Sequence, residues 1–326
     1  LTVPPALSWH TALTVWDMPV AAAVVIAVAA AGYLAGILRV RDWRLREAVW
    51  FYLGLLLGTV AAGGSVNAYS TVLFTVHMAQ HLLLIMVVPA LLLLGRPLEL
   101  LRRASGDRFR RTAARARRSR AAGLLTHPVF AFVYYAAVVV GTHLTPFQQT
   151  AATHPVVHGV EELLYLSSGY LFLLPILGTE PFGRRLPQLL RLVVLLVGMV
   201  VDTVVGLTLL MTSQPPFPAY VSPGRGWGPG PVDDLHWGGA MMWVGGDLLM
   251  AGVAVIVITV WVGSSSGAGD LGAWLESARR SAVTGRTDTL DPGVDLDEDE
   301  EALRAYNAML NRLHGGENGQ QHRPAK

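Results

Sequence analysis

The sequence predicts an all-α, polytopic membrane protein with seven transmembrane helices, and three observations carry that prediction. The 326 residues are 52% hydrophobic and only 15% charged, with a mean hydropathy of +0.43, where soluble domains carry roughly 25% charge. The apolar residues are gathered into long uncharged runs near the ~20 residues that a bilayer core demands. The arginines, which make up all but one of the 25 basic residues, fall almost entirely in alternate loops. Their placement says more than the net charge of +2.

Seven runs satisfy the length requirement, at residues 18–38, 47–63, 71–95, 128–145, 156–178, 188–212 and 234–262. The chain opens on Leu1, and its first run starts too late and is too long for a signal peptide, with no Lys or Arg before Met18. It is expected to be a retained helix. Arg39, Arg41, Arg44 and Arg46 follow the first run, ten arginines from Arg96 to Arg120 follow the third, and Arg184, Arg185 and Arg191 bracket the fifth-to-sixth link. The opposite loops contribute only Arg225. Cationic loops are retained on the cytoplasmic side, which puts the N-terminus outside and the C-terminus in the cytoplasm of a bacterial cell (inner) membrane protein. Gly32 and Gly36, and again Gly54 and Gly58, have the spacing that lets helices approach closely. Pro89 and Pro175 sit inside runs and are expected to kink them.

The organisation read from these runs is a seven-helix domain over 1–262 and a cytoplasmic tail over 263–326, where composition turns to Ser, Gly and charge. The tail is expected to be partly disordered, with one short helix carrying Leu303, Tyr306, Leu310 and Leu313 on a stripe. Its "GSSSG" reads as a linker, since no strand precedes it.

There is no cysteine, which excludes disulfides, thiolate metal sites, covalent haem attachment and cysteine nucleophiles together. Any metal relies on His, Met, Asp or Glu, and the histidines are unevenly placed. Seven of the ten, His10, His77, His81, His143, His154, His158 and His236, fall on the outer side or in the outer half of a predicted helix. In "HMAQH", His77 and His81 are four apart and share a helix face, and His154 and His158 repeat that spacing. Glu161 and Glu162 continue the second pair, His143 ends the fourth run, and His236 opens the seventh with Asp247 below it. Asp202 lies near the middle of the sixth run.

Ionisable groups in lipid are unfavourable and usually functional. The six histidines other than His10 are therefore candidate ligands, with Glu161, Glu162, Asp202, Asp247 and Met78 as supporting residues or a polar path. Each has a bland alternative: an interfacial hydrogen bond for a single histidine, bundle packing for a carboxylate or methionine. Imidazole suits zinc, copper, iron and nickel, and the outer-half thioethers of Met78, Met211, Met241 and Met242 without thiolate shift the balance toward copper.

Other chemistries fit less well. A metalloprotease needs HExxH, and the residue after His77 is Met78. Two histidines one turn apart cannot clasp both sides of a porphyrin, although one could pair with a histidine from another helix in a haem-binding redox protein. A copper transporter needs a continuous polar path. Asp202 and Asp247, each ~15 Å below the outer surface by helix rise, could begin one, but no polar chain continues through the inner half. Membrane lipid is the nearest partner for the basic clusters, and nucleic acid is not expected.

The chain resembles the CtaG-type cytochrome c oxidase assembly factors, bacterial membrane proteins associated with maturation of the copper site in oxidase subunit I. The resemblance covers most of residues 45–262 and is carried by "HMAQHLLLIMVVPALLLLGRP" at 77–97, "THLTPFQQTAATHPVVHGVEELLYLSSGYLFLLPILG" at 142–178 and "DLHWGGAMMWVGGD" at 234–247. It implies seven helices and a copper-related role, with His77, His81, His143, His158 and Glu161 as matched positions. One departure is that the family often has His directly after the Glu of the second motif, where this chain has Glu162. His154 and His236 are matched more weakly by the family and rest on helix geometry. The combined expectation is a non-enzymatic, copper-binding metallochaperone of the respiratory chain, holding its metal at the extracytoplasmic face. Its expected partners are cytochrome c oxidase subunit I and a periplasmic copper donor.

Overall fold

A computed structural model describes residues 4–106, 111, 114–115, 119–181, 186–221 and 226–262. Among these every regular element is helical. After the short α1 (Trp9–Thr14), closed by a Ser8–Thr11 capping box, come α2 (Val20–Arg39), α3 (Leu45–Gly63), α4 (Ser65–Ser70), α5 (Phe74–Leu82), α6 (Val88–Leu94) and α7 (Pro97–Ala104). There follow α8 (Arg120–Leu125), α9 (Pro128–His143), α10 (Phe147–Thr153), α11 (Pro155–Leu177), α12 (Gln188–Leu210), α13 (Pro231–Ala240) and α14 (Gly246–Val262). Six stretches of the described chain are long and apolar enough to cross a membrane, and the pair α9–α10, bent by 71°, makes a seventh if it counts as one span.

By internal contacts the chain divides into residues 1–257 and 258–326, and of the second unit only the end of α14 is described. The expected tail at 263–326, with its short helix, His314 and His322, lies outside the described residues. So do Arg184, Arg185, Arg225 and much of the basic stretch before Arg120.

Three departures from the expected helices position the functional residues. The run predicted at 71–95 is not one regular helix. Pro89 has no N–H to offer the Ile85 carbonyl and its ring crowds that group, and Leu83–Val87 open into a π turn. Gly169 of α11 packs directly on the Ile85 carbonyl, where any Cβ would collide with it. The proline therefore shapes a close helix crossing. This run also continues past its predicted end. After Arg96, whose φ of 51° is left-handed, α7 lays Leu100 against Gly36 of α2. Its Arg102 and Arg103 pair outward with Glu99 and Asp42, both at 2.6 Å. Glu180 closes the start of α7 by accepting from the backbone N–H groups of Leu98 and Glu99 at 3.1 and 3.0 Å. Burial pushes its carboxyl up to about 7 despite those donors.

The second departure is the predicted outer loop at 146–155, which is largely helical. Pro146 cannot donate the hydrogen bond that would continue α9, so the chain turns and restarts as α10, carrying Gln148 into the interior. The third is a π turn at Met241–Gly245 between α13 and α14. It lies beside a backbone-on-backbone approach of Gly206 and Gly239, where a Cβ on either would stand 2.7–2.8 Å from the other's carbonyl oxygen.

The larger apolar core includes Phe74, Tyr135, Tyr165, Phe172, Val205 and Met250, from α5, α9, α11, α12 and α14. A smaller one, with Tyr33, Phe51 and Leu100, joins α2, α3 and α7. The glycine spacing of the first run is only half used, because Gly36 receives Leu100 while Gly32 has nothing within 4 Å.

Candidate metal centre

Helices α5 and α11 begin, and α9 ends, at the same end of the bundle. His77 and His81 from α5, His143 from the last residue of α9, and His158 and Glu161 from the first two turns of α11 are therefore brought together, and all five are buried. His77, His158 and Glu161 each offer a ligand atom within 4.8 Å of the others. His77 Nε2 lies 3.5 Å and His158 Nδ1 3.3 Å from the same oxygen, Glu161 Oε2. On the other side of the carboxylate, Oε1 faces His81 Nε2 at 3.6 Å, and His81 Nδ1 faces His143 Nε2 at 3.3 Å.

The hydrogen-bond inventory of this cluster does not close with neutral rings. His143 Nδ1 lies 2.9 Å from the Val139 carbonyl, which must accept, so His143 Nε2 is a lone pair directed at His81. A neutral imidazole has one N–H, and His81 stands between two acceptors, His143 Nε2 and Glu161 Oε1. His158 is in the same position between Glu161 Oε2 and Asn67 Oδ1, 3.3 Å from each. The amide of Asn67 is oriented by its donation to the Asp17 carbonyl at 3.1 Å. His77 Nδ1, His81 Nε2, Glu161 Oε1, Gln80 Oε1 and Gln148 Oε1 are all buried without a hydrogen-bond partner. Such a concentration in one place calls for a missing partner. A cation among these atoms, a metal ion or additional protons, relieves the facing lone pairs. The donor set of imidazoles and one carboxylate without thiolate fits a late first-row divalent ion.

The other sequence candidates fall elsewhere. His154 does not join the cluster. The four-residue spacing to His158 presumes one helix, yet Pro155 starts α11 and leaves His154 as its N-cap in extended backbone, φ −126°. The ring is exposed and its Nδ1 lies 3.2 Å from the Thr150 carbonyl. His236 Nε2 donates to the Thr212 carbonyl just past the end of α12 at 2.9 Å, and Asp247 accepts from Thr203 of α12 at 3.2 Å, so both are engaged away from the cluster. Glu162 accepts from Gln80 at 2.8 Å and lies 3.7 Å from His158 Nε2. Asp202 accepts from Tyr135 at 2.7 Å. Between Asp202 and His81 lies a void with room for about one water, also lined by Met78, Tyr165 and Met242.

Several contributors were passed over in the sequence because they are not ionisable or carry no ligand spacing. Gln80, inside "HMAQH", links Glu162 to the Ala61 carbonyl at 2.9 Å. Gln148 meets His77 Nε2 at 2.7 Å and Tyr220 at 3.3 Å, and burial keeps the Tyr220 phenol well above its usual range and hence neutral. Tyr165 stacks on His81 at 3.8 Å and 16°. Asp234, from α13, accepts from the backbone N–H groups of Phe74 and Thr75 at 2.8 and 3.1 Å and from the Thr75 hydroxyl. It thus caps α5 across the bundle, one turn before His77. Asp234→Ala is expected to lower stability by about 2 kcal/mol, and the exposed neighbour change Asp233→Ala by much less. Thermal unfolding of both variants in detergent measures the difference, and equal losses would refute the tether.

The family model for the cytochrome c oxidase caa3 assembly factor matches residues 31–264. Uncharacterized proteins of Mycobacterium bovis and Mycobacterium tuberculosis are each 32% identical over 326 residues, covering 96% of this chain and 46% of their own length. One of Mycobacterium leprae is 30% identical over 312 residues, covering 92% and 45%. The chain thus spans about half the length of the curated relatives it matches. No solved structure matches. Because the family match runs from within α2 to the end of α14 and contains every residue of the His/Glu cluster, the chain belongs to the cytochrome c oxidase caa3 assembly factor (Caa3_CtaG) family.

Proposed function

We propose that this chain binds copper in the His/Glu cluster and passes it to the copper site in subunit I of a haem–copper oxidase, acting as a carrier and not as an enzyme. The observation that carries this reading is the buried group His77, His158 and Glu161, whose ligand atoms lie within 4.8 Å of one another. His81 and His143 extend it, and family membership supplies the oxidase. Copper is cargo here, and the residues have separable tasks. His77 and His158 offer nitrogen donors, while Glu161 supplies the negative charge that offsets the incoming ion. The Val139 carbonyl holds His143 in one tautomer. Ring contacts of 4.1 Å between His77 and His81 and 5.5 Å between His77 and His158 leave no space for a porphyrin between those rings.

The arginine asymmetry supports an N-terminus outside and a C-terminus in the cytoplasm of the bacterial inner membrane. That orientation sets the cluster near the extracytoplasmic surface, where a periplasmic donor could load it. His158 is the most accessible member, with 10% of its side chain exposed against 4% or less for His77 and His81. The test is metal analysis with an absorption spectrum on detergent-purified protein, comparing wild type with His77→Ala/His81→Ala. Stoichiometric copper in wild type that is lost in the variant, with reduced copper in the oxidase of the variant strain, is the expected result. Unchanged copper in both, or a Soret band from bound haem, overturns the reading.

A further inference from the structure

We propose that the cluster has two copper positions, the second lying between His81 and His143. This rests on the reading that the cluster carries copper at all. The first position is the group around Glu161 Oε2, with His77 Nε2 and His158 Nδ1. The second is defined by the two nitrogens that face each other on the far edge of the His81 ring.

The nitrogen of His143 that points at His81 is fixed as a lone pair. Its other nitrogen, Nδ1, is surrounded by the Val139 carbonyl at 2.9 Å, the Tyr165 hydroxyl at 3.0 Å and the Thr142 hydroxyl at 3.1 Å. Thr142 is itself 2.8 Å from the Val138 carbonyl and 2.6 Å from Tyr165, which makes it donate to the carbonyl and accept from the phenol. The 3.3 Å between His81 Nδ1 and His143 Nε2 is about the separation of two ligands that bind one ion at 2.0–2.1 Å with a tetrahedral angle. Tyr165, stacked on His81 at 3.8 Å, fixes the plane of that ring. Its two nitrogens therefore serve opposite sides, Nε2 toward Glu161 and Nδ1 toward His143.

One ion cannot use both edges of this ring, so His143 and the group of His158 do not share a centre. Glu161 stands between the positions, with Oε2 turned to the first and Oε1, buried and without a hydrogen-bond partner, turned to His81. The arrangement gives a loading order. The ion enters on the side of His158 and the second position fills deeper in the bundle, next to the void lined by Met78 and Met242.

The experiment titrates the detergent-purified 326-residue chain with Cu(II) sulfate, removes free metal by gel filtration and counts copper per chain. Wild type is expected to hold two, and His143→Gln and His158→Gln one each, with the His143→Gln ion keeping its affinity. Electron paramagnetic resonance on wild type supplies a readout without any variant: the signal per copper falls between one and two equivalents as neighbouring ions couple. Saturation at one copper that either variant abolishes overturns the second position alone and leaves only a shared proton between His81 and His143. Two coppers retained in His143→Gln also overturn it. A wild type that holds none overturns the copper reading and this inference with it.

Discussion

Glu161→Gln is expected to move two properties in opposite directions. Copper binding weakens by about 100-fold, while the metal-free protein becomes more stable by about 1 kcal/mol. In the native cluster Glu161 Oε1 and His81 Nε2 face each other at 3.6 Å, each without a hydrogen-bond partner. If the His81 proton sits on Nδ1 it satisfies His143 and leaves a lone pair against a carboxylate; on Nε2 it satisfies the carboxylate and leaves two imidazole lone pairs opposed at 3.3 Å. An amide at position 161 ends the conflict. Its N–H donates to His81 Nε2, His81 Nδ1 donates to His143 Nε2, and His143 donates to the Val139 carbonyl. The same change removes the one carboxylate that both His77 and His158 approach within 3.5 Å, and with it the charge that favours a divalent ion. Thermal unfolding in detergent with and without Cu(II), together with a competition titration, reads both effects. Glu162→Gln is the comparator, because Glu162 is held by Gln80 and lies on the edge of the cluster. A Glu161→Gln protein that keeps the full copper-induced rise in its unfolding midpoint would refute this account of the site.

The parts of this structure that are legible in the sequence are those fixed by the solvent. A bilayer requires runs of sufficient length and apolarity, and the described spans begin within a few residues of the runs, although the second and third continue well past their predicted ends, to Ser70 and Ala104, and α9–α10 is bent. The convergence of His77, His81, His143 and His158 was legible for a related reason. Alternating helix direction sends the ends of successive spans to the same side, and four-residue spacing inside one helix fixes a face. What the runs alone do not give is where each helix starts, stops and opens into a π turn. His154 leaves its expected face because Pro155 opens the helix and holds the residue before it in extended backbone, outside the helical turn that the four-residue spacing presumes. Gln148 enters the site because Pro146 ends α9 and lets a new helix begin at 71° to it. The π turns at Leu83–Val87 and Met241–Gly245 depend on which neighbouring backbone each helix meets, which no local pattern records. The amides Gln80, Gln148 and Asn67 were passed over for a different reason. They complete the hydrogen bonding of charged groups, so their roles become visible only when those groups are in place.

Gly169→Ala is expected to be the most damaging glycine-to-alanine change among the described residues, with a loss of about 3 kcal/mol and a parallel loss of copper. The glycine pairs that spacing pointed to are milder. At Gly36 a Cβ meets the Leu100 side chain at 2.9 Å, which can rotate away, and at Gly58 it meets only Val88 at 3.6 Å. At Gly169 it meets the carbonyl oxygen, carbonyl carbon and Cα of Ile85, a backbone held within the π turn beside Pro89. Relief requires α11 to move away from the α5–α6 span. That movement has a functional consequence because the same two segments carry the two halves of the cluster: His77 and His81 on one, His158 and Glu161 on the other. A shift of even 1 Å at the crossing separates donors that now approach within 3.3–3.6 Å. Gly159→Ala, in the same helix and with nothing within 4 Å of its Cβ, is expected to be neutral or to stabilise by up to about 1 kcal/mol. The two variants are compared by their amount in the membrane, unfolding midpoint in detergent and copper per folded chain. Equal behaviour of the two would mean that the crossing at Ile85 tolerates separation and does not hold the centre together.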